Sequence, residues 1–155
     1  MSKILNIIIC GIAFCSYSVL ANVAPFNGDV FNRIKNKNLG KQWLMVLWSV
    51  DCPACYKELA LIKSLRKENP NIDVIIVNTD GDDEANAESY QVMEKYQLLD
   101  ITTYFFEEGT ADRNRYVIDP TWYGELPRSY FVDTKGTFHG KSGLVEPALL
   151  RKWLL

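Results

Sequence analysis

The sequence holds a single histidine, His139, and four cysteines, at positions 10, 15, 52 and 55. That scarcity works against a structural zinc or copper centre, which needs about four nitrogen or sulfur donors. There is one C-x-x-C and no second, so any further ligand would have to be His139 or a carboxylate. Positive charge is not in excess either: 17 Lys and Arg stand against 19 Asp and Glu, a net charge of −2, and the one basic block is "RIKNKNLGK". This argues against a nucleic-acid partner. Internal repeats and low-complexity tracts are absent, which excludes solenoid and array architectures.

What is present begins with an export signal. "MSKILNIIICGIAFCSYSVLA" has a Lys3 n-region, an apolar stretch from Ile4 to about Leu20, and Val19-Leu20-Ala21 at the cleavage positions. Neither Cys10 nor Cys15 follows a small residue, so no lipoprotein site is read there. The run also approaches the length of about 18 apolar residues at which spanning begins, and an uncleaved membrane anchor is the alternative. Cleavage after Ala21 would remove Cys10 and Cys15 and leave Cys52 and Cys55 alone in residues 22–155. The chain left would have 134 residues (155 less 21) and a charge near −3 (16 Lys and Arg against 19 acids). At 48% hydrophobic residues over the whole chain, one domain of that size can bury its own core without disulfide staples.

The pattern along residues 22–155 is α/β. Asn22 to Lys41 reads as a short helical or extended lead-in. "QWLMVLWSV" (Gln42 to Val50) is an apolar run of strand length, suited to a strand buried on both faces. From Pro53 to Glu68, Leu59, Ile62 and Leu65 recur at helical spacing, Pro53 sits where a first turn tolerates it, and "ENPN" ends the helix. "IDVIIVNTD" (Ile72 to Asp80) is a second buried strand, followed by a helix with acidic N-terminal residues in "GDDEANAESYQVMEKYQLL". Strand, helix, strand, helix implies a parallel core with helical crossovers. A short strand is expected around Ile101 to Phe106, then a polar, turn-rich connection over 107–125. "SYFVD" and "GTFHG" around "TKG" read as an antiparallel hairpin, with a closing helix from Glu146 to Leu154.

The cysteines stand where that plan makes them chemically useful. Cys52 lies between a buried strand and the first turn of a helix, where unpaired N–H groups and the helix dipole favour a thiolate. Cys55 follows one turn later on the same face, within reach for a reversible disulfide. A bridge closing a loop of two residues adds little stability through chain entropy, so a purely structural role is the weaker reading.

"LWSVDCPACYKEL" after a strand, with "LPRSYFVDTKG" downstream in an exported chain, resembles the thioredoxin-like periplasmic thiol–disulfide oxidoreductases of the TlpA/ResA type, over roughly Phe31 to Leu154. The resemblance implies a thioredoxin-like fold: a central mixed β-sheet flanked by helices, with an insertion before the cis-proline strand. It implies that Cys52 attacks, that Cys55 resolves, and that Pro127 is the cis-proline beside the site. A proline opening a strand costs no ladder bond, which fits that place. Substrate backbone would pair with Leu126 by strand addition. Glu58 matches an acid of ResA-type reductases, three residues beyond the second cysteine, and would exchange the proton of Cys55. A solvated helix-surface glutamate is the other reading of Glu58. Trp48 is expected either to cover the site or to fill the core. Asp51 replaces the aromatic residue usual before the first cysteine, and its charge opposes thiolate formation. His139 reads as a surface residue.

The implied activity is exchange of the Cys52–Cys55 disulfide with protein dithiols and disulfides, with no cofactor and no metal. The resemblance favours a periplasmic, monomeric reductase kept reduced by a membrane donor of the DsbD or CcdA kind and serving cytochrome c maturation. An oxidase or isomerase stays open, as does a non-catalytic binding module with a structural disulfide.

Overall fold

A computed structural model describes residues 23–155; the leader reading, with Cys10 and Cys15, lies outside the described residues. Strand β2 (Trp43–Trp48) is buried along its whole length, and its alternating side chains feed two separate cores. Leu44, Val46 and Trp48 face one side of the sheet, and Trp43, Met45 and Leu47 face the other. On the first side lie helices α2 (Pro53–Glu68), α3 (Asp83–Lys95) and α5 (Pro147–Leu154), which bury Leu59, Ile62, Leu65, Met93 and Leu150 against it. On the second lie α1 (Gly28–Lys37) and α4 (Ala111–Ile118), contributing Val30, Phe31, Ile34 and Ile118.

The sheet has the order β1-β4-β3-β2-β5-β6, with β1 (Val23–Pro25), β3 (Val74–Asn78), β4 (Thr103–Phe105), β5 (Arg128–Val132) and β6 (Phe138–Ser142) completing it. β1 to β4 are mutually parallel, as helical crossovers require, while β5 and β6 form the antiparallel hairpin. The sheet is therefore mixed and flanked by helices, as the sequence predicts. The lead-in contains both a strand and a helix, β1 and α1.

One segment departs from expectation. The connection over 107–125 is not wholly turn-rich, because α4 occupies its centre. Only Asn114 and Ile118 of α4 are buried, too few to set up an apolar period. The helix is tied down by a polar contact instead: Asn114 Nδ2 donates to the Phe26 carbonyl at 3.1 Å and to Thr110 Oγ1 at 2.9 Å. Among the described residues no helix is long and apolar enough to cross a membrane.

Candidate active site

Cys52 is the N-cap of α2, half-buried, with Pro53 in the first turn. The Cys55 N–H donates to Cys52 Sγ at 3.2 Å and to the Cys52 carbonyl at 3.0 Å, so the sulfur occupies the place of a capping oxygen. A thiolate released there would meet the same donor and the positive end of the helix dipole. Cys52 and Cys55 are joined as a disulfide. The two sulfurs differ in access, since Cys55 is 1% exposed.

The approach to Cys52 is held by neighbouring elements. Val50 donates its N–H to Asp80 Oδ2 at 2.9 Å, just past β3, and accepts the Tyr56 hydroxyl on its carbonyl at 2.7 Å. Asn78 Nδ2 donates to the same Asp80 oxygen at 2.7 Å. Asp51, immediately before Cys52, is exposed.

Glu58 lies on the inner face of α2, one turn beyond Cys55, and is 0% exposed. It is therefore not a solvated helix-surface glutamate. Ser129 donates its hydroxyl to Oε1, and the Val145 N–H donates to Oε2 at 3.4 Å. Burial pushes the carboxyl above its usual range, against the lowering effect of those two bonds and of the Lys141 charge. Ser129 and Lys141 are direct cross-strand partners of β5 and β6, which puts both on the face that meets α2.

The Leu126–Pro127 peptide is cis. In the register Leu47 opposes Arg128, so Pro127 lies at the end of the sheet from which Ser49, Val50 and Asp51 lead to Cys52. Pro127 is buried and its carbonyl accepts the Gly143 N–H at 2.9 Å; Leu126 is half-buried and packs against both cores.

Of the two places expected for Trp48, the structure shows the core. It is 0% exposed within the core on the α2 side, edge-on to Tyr56 with ring centroids 6.2 Å apart. Both faces of β2 are covered, so either parity of that strand ends inside. His139 stands exposed on β6, paired with Asp133 at 3.1 Å. Among the described residues no group of three or more His, Cys, Asp or Glu could hold a metal ion.

Sequence reasoning missed Ser129, Val145 and Asp80. A signal for Ser129 existed: once β5 starts at the proline, alternation puts Ser129 on one face with Phe131, and a lone hydroxyl on a buried face needs a polar partner.

No family model matches the chain, and no curated protein matches it. Solved structures do. A secreted Mycobacterium tuberculosis disulfide oxidoreductase homologous to E. coli DsbE superposes with a TM-score of 0.58 at 19% identity, covering 76% of this chain and 82% of that one. StoA from Bacillus subtilis gives a TM-score of 0.56 at 20% identity over 75% and 84% of the two chains. The thioredoxin domain of a thiol-disulfide oxidoreductase from Bacteroides vulgatus gives 0.59 at 16% identity over 77% and 84%. These likenesses show that the fold is thioredoxin-like.

Proposed function

We propose that this chain is a thiol–disulfide oxidoreductase that uses the Cys52–Cys55 pair to reduce disulfides of other proteins. The observation that carries the reading is the asymmetry of the pair: a half-buried sulfur capping α2, and a buried one a single turn from the buried acid Glu58. A structural bridge needs neither the asymmetry nor the acid.

In the reduced protein the Cys52 thiolate attacks one sulfur of a substrate disulfide, forming a mixed disulfide and expelling the other sulfur as thiolate. Glu58, as carboxylate, takes the Cys55 proton. The Cys55 thiolate then attacks Cys52 Sγ, which breaks the mixed disulfide and releases the second substrate sulfur. Two electrons have passed from the pair to the substrate, and the protein is left oxidised, as in this structure. Recharging is the reverse sequence with a dithiol donor. Substrate backbone would lie against Leu126 and Pro127.

The resemblance of the two cysteine and proline motifs supports the finer reading: an exported periplasmic protein, recharged by a membrane donor of the DsbD or CcdA kind and acting in cytochrome c maturation. Equilibration of the pair with glutathione buffers tests the activity. A potential within the range of about −120 to −270 mV, reached by thiol exchange, is expected. A pair that resists glutathione and does not exchange would be a structural bridge, and the chain a binding module.

A further inference from the structure

We infer that Ser129 is a positioning residue for proton transfer, its hydroxyl allowing Glu58 to hold the transferred proton on Oε1 while the Val145 N–H reserves Oε2. The inference rests on the reading of Glu58 as the base for Cys55.

The two partners of Glu58 differ in what they can do. A buried acid that gives and takes a proton must find hydrogen bonds in both states, because an unpaired polar atom in a dry site is costly. The Val145 N–H can only donate, so Oε2 must remain an acceptor whether or not Glu58 is charged. A serine hydroxyl can do either. It donates to the carboxylate, as in this structure, and after rotation accepts from the carboxylic acid. Oε1 is thus the oxygen whose partner suits both states.

Among the described residues, the groups hydrogen-bonded to the carboxyl are Ser129 and the Val145 N–H. Ser129 is 0% exposed, on the buried face of β5. From β6 the charged group facing the carboxyl is Lys141, whose ammonium can donate but not accept. From α2 itself Cys55, buried one turn earlier, is the group that carries a proton once the disulfide is reduced. In the core on this side Phe131, Val145 and Leu150 bring apolar side chains, Trp48 and Trp153 carry indole N–H groups that can only donate, and Tyr56 commits its hydroxyl to the Val50 carbonyl. Register fixes the serine: Val46 opposes Ser129, so both point toward α2.

With Ser129→Ala the charged form loses its stronger donor, so Glu58 stays protonated to higher pH and the base is missing where the wild type has it. The first step, attack by Cys52, does not use Glu58.

The test uses the reduced full-length protein and 5,5′-dithiobis(2-nitrobenzoate). Its first thionitrobenzoate is released by Cys52, and its second by Cys55 resolving the mixed disulfide, so stopped-flow traces separate the two steps. In Ser129→Ala the first release should match wild type at every pH. The acid limb of the second release should move to higher pH, with rates on that limb down about tenfold, the usual worth of one hydrogen bond to a charged group. Ser129→Thr, which keeps the hydroxyl, should restore the wild-type limb, and thermal unfolding checks that each variant is folded. Coincident Ser129→Ala and wild-type profiles, beside a Glu58→Gln variant that has lost the limb, would overturn the role of Ser129 alone. A shift that threonine does not reverse would also overturn it, as a packing effect. A Glu58→Gln profile identical to wild type would instead remove the base, and the inference with it.

Discussion

Val50 and Asp80 are bound across the end of the sheet, the Val50 N–H donating to Asp80 Oδ2 at 2.9 Å two residues before Cys52. The turn carrying Cys52 is thereby fixed to the end of β3 rather than only to its own strand. Asp80→Ala leaves that N–H and the Asn78 side chain without their acceptor. A loss of about 1–3 kcal/mol in unfolding free energy is expected, with slower exchange at Cys52. Asp80→Asn keeps an oxygen acceptor and should retain most of both. Urea unfolding together with exchange rates checks this, and an unchanged Asp80→Ala would show that the pin is idle.

The unequal access of the two sulfurs predicts unequal trapping. Cys55→Ser leaves Cys52 able to attack and nothing to resolve the product, so mixed disulfides should accumulate, at least about tenfold more than with Cys52→Ser. Non-reducing gels of each variant after exposure to disulfide-bearing proteins give the comparison. Equal trapping would reverse or erase the assigned roles.

Glu58 also bears on stability, with a definite sign. Its folded-state pKa is raised by burial above the unfolded value of about 4.3, so over the interval between them the native state holds more protons than the unfolded one. Stability contributed at this site therefore falls as pH rises through that interval, and the penalty is complete above the folded value. Glu58→Gln carries no such titration. It should be more stable relative to wild type at pH 8 than at pH 4, as read by denaturant unfolding of the oxidised proteins; a pH-independent difference would mean that the carboxyl is not perturbed.

On the opposite face of the sheet, Arg128 donates from Nη2 to Asp119 at 2.8 Å and from Nη1 to Ser142 Oγ at 2.7 Å. The guanidinium has room because residue 140 is glycine: a Cβ there would meet Nη2 at 2.3 Å and Cζ at 2.8 Å. Gly140→Ala should displace Arg128 from Asp119 and cost about 2–3 kcal/mol. In an Arg128→Ala background the same change should cost under about 1 kcal/mol. A double-mutant cycle by thermal or urea unfolding decides, and additive costs would show that the glycine serves something else.

On the reading of Val19-Leu20-Ala21 as a cleavage site, the mature chain is expected to start at Asn22. Intact-mass measurement on a periplasmic fraction showing residues 1–21 still attached would favour the membrane anchor.

The parts of this molecule readable in its sequence are those where a single local pattern suffices. Helix α2 runs over Pro53–Glu68, the bounds its proline start and apolar spacing predict, and the β5–β6 hairpin follows its turn. Helix α4 was not readable, since its place depends on one buried amide, Asn114, reaching a carbonyl 88 residues away. The same holds at the site. Cys52 and Cys55 declare themselves by spacing, and Glu58 by motif, but burial of Glu58 depends on Ser129, 71 residues distant and brought beside it only when the sheet assembles. Trp48 shows the converse. A strand with helices on both sides has no outer parity, so closeness to Cys52 in sequence says nothing about exposure.

The common direction of β1 to β4 has a consequence for how the protein presents itself. Val23 pairs with Thr103, which is level with Ile76 and, through it, with Val46 at the middle of β2, so β1 and β4 join the sheet half-way along and finish beside Asn78 and Trp48, at the pole where Cys52 lies. Strand neighbours are about 4.8 Å apart, so β1 stands about 14 Å to the side of β2. A fusion or bead linkage made at Val23 would therefore hold the protein by its flank, with the disulfide pole presented sideways rather than buried against the support or aimed away from it.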